Sequence, residues 1–304
     1  MTPESCSGLA REEPLPGTAP YARAWLVLEH PGPWGRDALT DSGLPDRLVE
    51  HIARAQLEAP FRFLAARRIG EDRRHAPAST ARPFPRRVWL ASCDAHDPIT
   101  RTTRIAEVEE ILDWDLVALG EGVVPAIGQR VEQPLEFVCT HSKRDACCAI
   151  WGRERVASVP ADRREQVWEC SHLGGHRFAA TSLFLPSGRL YGRLREYHEY
   201  PRNSDEGIVE PNPMHLRGPS YLTAPLQAAE CLVRQHASVT YAQPLDVIEL
   251  ESKHDRVIAK VQDATERSWL VHCQIESFTS PASCGGRPEE RVTWHARFTD
   301  DHHG

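Results

Sequence analysis

Two short segments near the middle of the chain concentrate the residue types that bind metals. The first runs from Cys139 to Cys148 and also contains His141 and Cys147, and the second runs from Cys170 to His176. Each comes at the end of a predicted strand, and in the predicted order these strands are neighbours in one sheet. Loops after neighbouring strands converge at one edge of the sheet. The chain must therefore fold so that the two segments meet, which predicts a shared metal site.

The elements around these segments predict an α/β (α+β) fold. A strand at 135–139, a helix from about Cys147 and a strand at 166–170 are followed by a hairpin that turns at 186–188 and by a helix at 223–236. This order of strand, helix, strand, hairpin and helix is that of a thioredoxin-like domain. Such a domain places its active loops at one end of the sheet.

Further units are predicted on both sides of this domain. Upstream, buried strands separated by a helix indicate an N-terminal β/α unit, in one interpretation a degenerate thioredoxin-like unit. Downstream, strand-like runs predict a β-rich extension. The first twenty residues are rich in Pro and Glu and lack hydrophobic periodicity, which predicts a mobile arm. The expected divisions are 1–20 for the arm, 21–130 for the N-terminal unit, 131–238 for the thioredoxin-like domain and 239–304 for the extension.

Net charge, apolar runs and cysteine content indicate which classes of partner and which cellular compartment to expect. The formal charge is −7, from 36 Lys and Arg against 43 Asp and Glu, so that a phosphate backbone would meet net repulsion. We therefore expect no nucleic acid partner. The chain lacks a long apolar run and a basic, apolar leader, which predicts a cytoplasmic protein without a membrane span. Nine cysteines in such a chain predict reduced thiols rather than a disulfide framework.

The spacing of the ligand-type residues bears on which metal centre they hold. Zinc commonly takes cysteines two to four residues apart, whereas eight residues separate Cys139 from Cys148. The wider loop suits a larger group, such as a binuclear iron–sulfur cluster with two thiolates on one iron and two imidazoles on the other. Cys139, Cys148, His172 and His176 supply that set, and the glycines at 174 and 175 indicate a loop that wraps closely around a ligand.

These motifs resemble the sucrase/ferredoxin-like family, whose members are similar to thioredoxin-like ferredoxins. The resemblance covers roughly residues 23–234, and it implies a 2Fe–2S cluster held by Cys139, Cys148, His172 and His176. The "sucrase" of the family name has no counterpart here, because no paired carboxylates typical of glycoside hydrolysis are evident. The motifs that carry the resemblance are Cys139–His141, Arg144–Asp145, Cys147–Ala149, Val167–Phe178, Leu185–Pro186, Tyr191–Arg193 and, upstream, Pro31–Gly35.

The expected function is electron transfer through this cluster, between a redox donor and a redox acceptor protein that the sequence does not name. Two ferric ions, two sulfides, two thiolates and two neutral imidazoles sum to zero charge, so that the potential should exceed that of all-cysteine ferredoxins by roughly 250 mV or more. Each ligating imidazole keeps a second nitrogen, which predicts proton-coupled transfer. An electron carrier is therefore expected, rather than an enzyme with a substrate of its own.

Two alternatives remain open at this stage. The same residues also suit a structural zinc site of two cysteines and two histidines. Cys147 and Cys148 could instead act as a thiol oxidoreductase pair, although adjacent cysteines form a strained pair. The sequence also leaves open which of these two cysteines is the second thiolate ligand.

For the residues near these candidate ligands we expect mostly structural roles. Cys170 alternates with a tryptophan on its strand and is expected in the core, and His141 is expected to hydrogen-bond within its loop. Arg177 would either soften the charge at the site or form a salt bridge. Trp34 and Arg36 follow a strand and would either cover the cluster or simply pack in their loop.

Overall fold

The computed structural model describes residues 5–70, 85–195, 210–237, 239 and 243–299. Within these ranges the helices are α1 (Cys6–Leu9), α2 (Asp46–Glu58), α3 (Leu116–Gly120), α4 (Ala146–Ala157) and α5 (Ala224–His236). The strands are β1 (Ala24–Glu29), β2 (Phe61–Arg68), β3 (Arg86–Ser92), β4 (Ile99–Ile105), β5 (Gln129–Arg130), β6 (Leu135–Cys139), β7 (Val167–Cys170), β8 (Ser182–Leu185), β9 (Arg189–Tyr191), β10 (Leu216–Pro219), β11 (Leu245–Lys253), β12 (Arg256–Asp263), β13 (Ser268–Pro281) and β14 (Pro288–Phe298).

One mixed sheet organises the larger part of the described chain. Its strand order is β10-β9-β8-β6-β7-β2-β1-β3-β4-β5. The strand pairs β1–β2 and β6–β7 are parallel. An antiparallel hairpin extends the sheet outward from each pair: β3 and β4 lie next to β1, and β8 and β9 lie next to β6. The sheet therefore contains the predicted strand, helix, strand and hairpin order twice, which gives the N-terminal unit the same local strand order as the thioredoxin-like unit.

The two units meet through the carboxyl ends of their strands. β2 and β7 pair antiparallel only over their last residues, where Arg67 lies opposite Glu169. The ends of β1 and β6 lie at the same level, because Glu29 pairs with Ala66 and Cys139 pairs with Cys170. As a result, the loop after β1 and the loop after β6 leave the sheet towards one another. This junction lies where both ligand-type segments begin.

The core is continuous across the junction. Trp89 of the N-terminal unit makes edge contacts with Phe137 and Trp168 of the other unit, with ring centroids 5.4 and 4.6 Å apart. All three side chains are buried. The expected division between residues 130 and 131 thus falls between two strands of one sheet, and it does not separate two independent cores.

A second, four-stranded antiparallel sheet completes the described structure. Its order β11-β12-β13-β14 follows the chain, as the strand-like runs of the C-terminal extension predict. Helix α5 packs against this sheet through Ala229 and Val233, which share a cluster with Val257, Ala259 and Val271. The helix therefore connects the extension to the thioredoxin-like unit. Among the described residues, no helix combines the length and the apolar character that crossing a membrane requires.

The sequence predicts a mobile arm over residues 1–20, and in the structure residues 5–20 make specific contacts with the rest of the described chain. Ser5 caps α1, its hydroxyl accepting from the backbone N–H of Gly8 at 3.2 Å, and Cys6 is fully buried. Glu13 is also buried, in an ion pair with Arg177 at 2.6 Å. The lack of hydrophobic periodicity does not reveal these contacts, because they depend on single residues rather than on a repeating face. Residues 1–4 lie outside the described part of the chain.

Candidate metal centre

Two thiols meet where β6 ends and α4 begins. Cys139 is the last residue of β6, and Cys148 lies in the first turn of α4, whose cap Asp145 accepts from the backbone N–H of Cys147 at 2.8 Å. The Sγ atoms of Cys139 and Cys148 each lie 3.8 Å from Nδ1 of His172. These three ligand atoms lie within 4.8 Å of one another. The strand end and the helix cap thus place two distant thiols against one imidazole.

The second histidine adjoins the first on the loop after β7. Nδ1 of His176 lies 3.4 Å from Nε2 of His172. On the other side, Nε2 of His176 contacts the carbonyl oxygen of Ala282, and it lies 3.8 Å from Oδ2 of Asp145. A carbonyl oxygen can only accept, so this contact fixes the proton on Nε2 and leaves Nδ1 as a lone-pair nitrogen facing His172.

The electrostatics of the site favour ligand-competent protonation states. A hydrogen bond with Cys148 lowers the pKa of Cys139, while the same bond and burial raise the pKa of Cys148. One thiolate next to one thiol is the expected state of such a pair without a metal, because two adjacent negative charges repel. Burial lowers the pKa of His176, which keeps its imidazole neutral. The N-terminus of α4 adds a partial positive charge near Cys148.

Arg217 holds the histidine loop in place. Its guanidinium is buried, with Nη1 donating to the carbonyl of Gly174 at 3.0 Å and Nε donating to Oγ1 of Thr18 at 3.1 Å. Gly174 and Gly175 have φ values of +80° and +70°, which favour glycine. A Cβ on Gly175 would lie 2.5 Å from Nη2 of Arg217. The second glycine therefore allows the close approach of the arginine that orients the loop.

The loop after β1 forms one wall of the site. Trp34 is buried, and its ring makes an edge contact with His141 at 5.7 Å between centroids. Nε2 of His141 donates to the carbonyl of Gly35 at 2.9 Å, as expected for a loop hydrogen bond rather than a metal ligand. Arg67 lies over the Trp34 ring at 4.0 Å and pairs with Glu169 at 2.8 Å. The N-terminal unit thus packs directly against the first ligand loop.

A polar cavity of about 290 Å³ opens beside His172. His172 is partly exposed there, whereas Cys139 and Cys148 are buried. The cavity is lined by Arg36, Arg62 and Arg144 together with the carboxylate of Asp37. Arg36, for which the sequence leaves open whether it covers the cluster or packs in its loop, is exposed and lines this cavity. The imidazole of His172 is therefore the part of the centre that borders this cavity.

The other candidate residues do not take part in the group of proposed ligands. Cys170 is buried in the core cluster, and burial raises the pKa of its thiol. Arg177 pairs with Glu13 and so takes the salt-bridge role. Cys147 turns away from Cys148, since its Sγ contacts those of Cys6 and Cys284 at 3.4 and 3.2 Å.

Sequence reasoning did not identify the roles of several residues near the centre. Arg217 lies within the stretch that resembles the family, but no spacing rule connects it to the histidine loop about forty residues away. Glu13 and Ala282 come from the two ends of the chain. Their contacts depend on long-range packing that a local pattern does not encode.

Comparison with known proteins gives one finding. A protein-family model described as sucrase/ferredoxin-like matches residues 15–202, which is more than half of the chain and includes all four predicted ligands. No curated protein and no solved structure matches the chain significantly.

Proposed function

The chain belongs to the sucrase/ferredoxin-like family, and on that premise we propose that it is an electron-transfer protein. It would hold a 2Fe–2S cluster through Cys139, Cys148, His172 and His176. The observation that carries this proposal is the meeting of two thiols with the imidazole of His172 at one end of the sheet, next to the imidazole of His176.

The donor set fits such a cluster in its chemistry. Thiolate sulfur and imidazole nitrogen are the ligands of a Rieske-type centre, two of each. Cys139 and Cys148 contact Nδ1 of His172 at equal distances, and His176 adjoins the other ring nitrogen of His172. The helix N-terminus and the buried Arg217 offset the negative charge of two thiolates. Bound there, a 2Fe–2S cluster would supply reversible one-electron redox chemistry.

The protein's own groups would control the proton that accompanies the electron. His176 keeps its Nε2 proton against the carbonyl of Ala282, with the Asp145 carboxylate 3.8 Å away. An added negative charge at the centre strengthens the hold of an imidazole on its proton. His176 is therefore the group whose proton we expect to follow the electron.

His172 would provide the route for the electron between centre and partner. It is the ligand that borders the cavity, and three arginines line the same opening. An acidic surface on a redox partner would complement these side chains, and association would weaken with added salt.

Purification without oxygen, followed by an absorption spectrum and iron and sulfide analysis, tests the proposal. We expect two irons and two sulfides per chain and a coloured protein. A colourless protein that contains one zinc per chain at these residues would replace the cluster with the zinc alternative. A protein without iron or zinc, whose Cys147 and Cys148 titrate as a redox pair, would support the thiol alternative.

Substitution of His176 tests the ligand assignment. His176→Cys supplies a thiolate that iron accepts, and its extra negative charge should lower the midpoint potential while colour is kept. His176→Ala should lose the cluster or bind it weakly. His254→Ala, in the exposed turn between β11 and β12, is the control and should match the parent. Full iron, sulfide and parental potential in His176→Ala would exclude His176 as a ligand and make His141 the next candidate.

The pH dependence of the midpoint potential tests the histidine ligation. The potential should fall as the pH rises, because the reduced centre holds the imidazole proton more tightly than the oxidised centre does. Protein-film voltammetry over pH 6 to 10, roughly the range in which such ligands titrate, measures this. A potential that stays constant across the range would argue against histidine ligation.

A further inference from the structure

Three thiols that the proposed cluster does not use meet in a second group. The Sγ atoms of Cys6, Cys147 and Cys284 lie 3.2 to 3.5 Å from one another, so they form a nearly equilateral triangle. Cys6 and Cys147 are buried, and Cys284 is partly buried. These three cysteines are distinct from Cys139 and Cys148, and none of them belongs to the four proposed cluster ligands.

The three thiols come from three separate parts of the chain. Cys6 begins α1, Cys147 lies in the first turn of α4, and Cys284 lies in the connection between β13 and β14. Their convergence depends on the N-terminal segment and the C-terminal hairpin packing against the same helix end. Three thiols do not meet in this way by local sequence proximity.

Asp145 connects the group to the backbone on two sides. Its Oδ1 accepts from the N–H of Cys147 at 2.8 Å, and its Oδ2 accepts from the N–H of Cys284 at 2.9 Å. Oδ1 also lies 3.7 Å from Sγ of Cys6. The carboxylate thus fixes two of the three cysteines, and one ligand atom from each of the four residues lies within 4.8 Å of the others.

The number and type of donors favour a metal over a disulfide. A disulfide uses two cysteines, has a sulfur–sulfur bond of about 2.05 Å and would leave the third thiol unused. Three equivalent thiols and one carboxylate oxygen make four donors, which is the number that zinc takes in closed sites. Thiolate ligands are soft and select d10 cations such as Zn²⁺ over Mg²⁺ or Ca²⁺.

We propose that Cys6, Cys147 and Cys284, with Asp145 as the fourth donor, form a structural zinc site beside the cluster. On binding, each cysteine gives a sulfur lone pair to the metal, and each of them that is still a thiol releases its proton to solvent. The bound metal joins the N-terminal segment, α4 and the C-terminal hairpin. Ala282 of the same hairpin connection contacts His176, so the zinc site lies beside the proposed cluster site.

Zinc content in matched variants tests this site. The chain purified under reducing conditions should contain one zinc that Cys284→Ser and Cys6→Ser each remove. Cys273→Ser is the control, since this buried thiol donates to the carbonyl of Pro225 at 3.2 Å, a bond that a serine hydroxyl can also make. The control should keep the zinc. Iron and sulfide, measured in the same samples, should stay at parental levels in all three variants.

Two further measurements distinguish the second site from zinc bound at the cluster position and from effects of misfolded variants. Cys139→Ser should lose iron but retain the zinc, which distinguishes the second site from zinc bound in the cluster position. In the unaltered chain, Co²⁺ should replace the zinc and give the intense absorption of tetrahedral cobalt–thiolate coordination. Zinc that persists in both Cys6→Ser and Cys284→Ser, or a wild-type chain without this zinc, would overturn the proposal. A protein mass two hydrogens below that of the reduced chain, with a disulfide between two of the three cysteines, would also overturn it.

Discussion

At the scale of single residues, adjacent side chains of one helix turn have different partners. Consecutive residues of an α-helix point about 100° apart. Cys147 therefore faces Cys6 and Cys284, while Cys148 faces Cys139 and His172. The sequence leaves these two cysteines interchangeable, because a shift of one residue in the helix start exchanges their directions. Only the cap at Asp145 sets the register.

Gly174 and Gly175 provide a matched pair for testing the histidine loop. Both have positive φ values, but a Cβ on Gly174 meets nothing within 4 Å, whereas one on Gly175 meets Arg217. We expect Gly174→Ala to cost about 1 kcal/mol of unfolding free energy from backbone strain. Gly175→Ala should cost about 3 kcal/mol, because buried hydrogen bonds of Arg217 are also lost. Urea unfolding measures both, and equal losses would contradict the role given to Arg217.

His30 should make stability depend on pH. Burial lowers its folded-state pKa from 6.5 to about 4, and its Nδ1 accepts from the N–H of Gly32 at 3.1 Å. Because the unfolded chain binds the proton more readily, the contribution is full above about pH 6.5 and is lost as the pH falls towards 4. Between pH 7.5 and 5 this histidine should account for about 2 kcal/mol of lost stability.

Comparison of His30→Gln with the parent isolates this contribution. Urea unfolding at both pH values should show a smaller pH dependence in the variant, since glutamine does not titrate. His254→Gln, at an exposed position, should behave as the parent does. An unchanged pH dependence in His30→Gln would show that other groups are responsible.

At the scale of elements, α4 docks on β6 through a glycine. A Cβ on Gly152 would lie 2.0 Å from the carbonyl oxygen of Cys139. Alanine is normally the better helix former by about 1 kcal/mol, but here the added methyl group pushes the helix away from the strand. Gly152→Ala should therefore destabilise the protein by about 1–3 kcal/mol. It should also lower the iron content, because Cys139 and Cys148 lie on the two separated elements.

A nearby substitution controls for changes in helix propensity. Arg153 is exposed on the same helix, and Arg153→Ala should leave both stability and iron content near the parental values. Thermal unfolding and iron analysis of the two variants give the comparison. Parental iron in a destabilised Gly152→Ala would mean that the spacing of helix and strand does not control the site.

The main elements could be predicted from local patterns. β6 and α5 match the expected bounds closely, because an apolar run and an amphipathic stripe identify them. β2 and β4 were not predicted. β2 carries arginines among its apolar residues, and β4 consists mostly of Thr and Arg between two isoleucines. The pairing of β2 with β7 has no local signal, so the joining of the two units was also not predictable.

At the scale of the whole molecule, the N-terminal segment packs against the loop that carries His176. Glu13 pairs with Arg177, the residue after His176, and also accepts from the hydroxyl of Ser280 at 3.1 Å. Glu13→Gln leaves the guanidinium without its counter-charge in a mostly buried position. We expect a loss of about 2–3 kcal/mol and faster release of iron to a chelator.

Glu12→Gln, at the adjacent position, is the control for Glu13→Gln. Glu12 is exposed, and its substitution should change stability by less than about 0.5 kcal/mol. Both variants can be compared by urea unfolding and by the rate of iron release. Equal release rates in the two variants would show that the N-terminal segment does not protect the centre.

The ligand-type residues could be located from the sequence, but their surroundings could not. Two cysteines and two histidines at strand ends predict convergence because the topology leaves little choice. Cys6 and Cys284, by contrast, are separated by 278 residues and each stands alone in the sequence. A lone cysteine is typical of a core position, so that only the folded structure shows these two together with Cys147.

The contact between His176 and Ala282 sets an order of events during synthesis. These residues are 106 positions apart, and a ribosome adding about 5–20 residues per second makes that stretch in about 5–20 s. Throughout that interval the nascent chain already contains every proposed cluster ligand, while the hairpin that covers His176 has not been made. Delivery of iron and sulfide therefore has a period of open access that ends once this hairpin has been made.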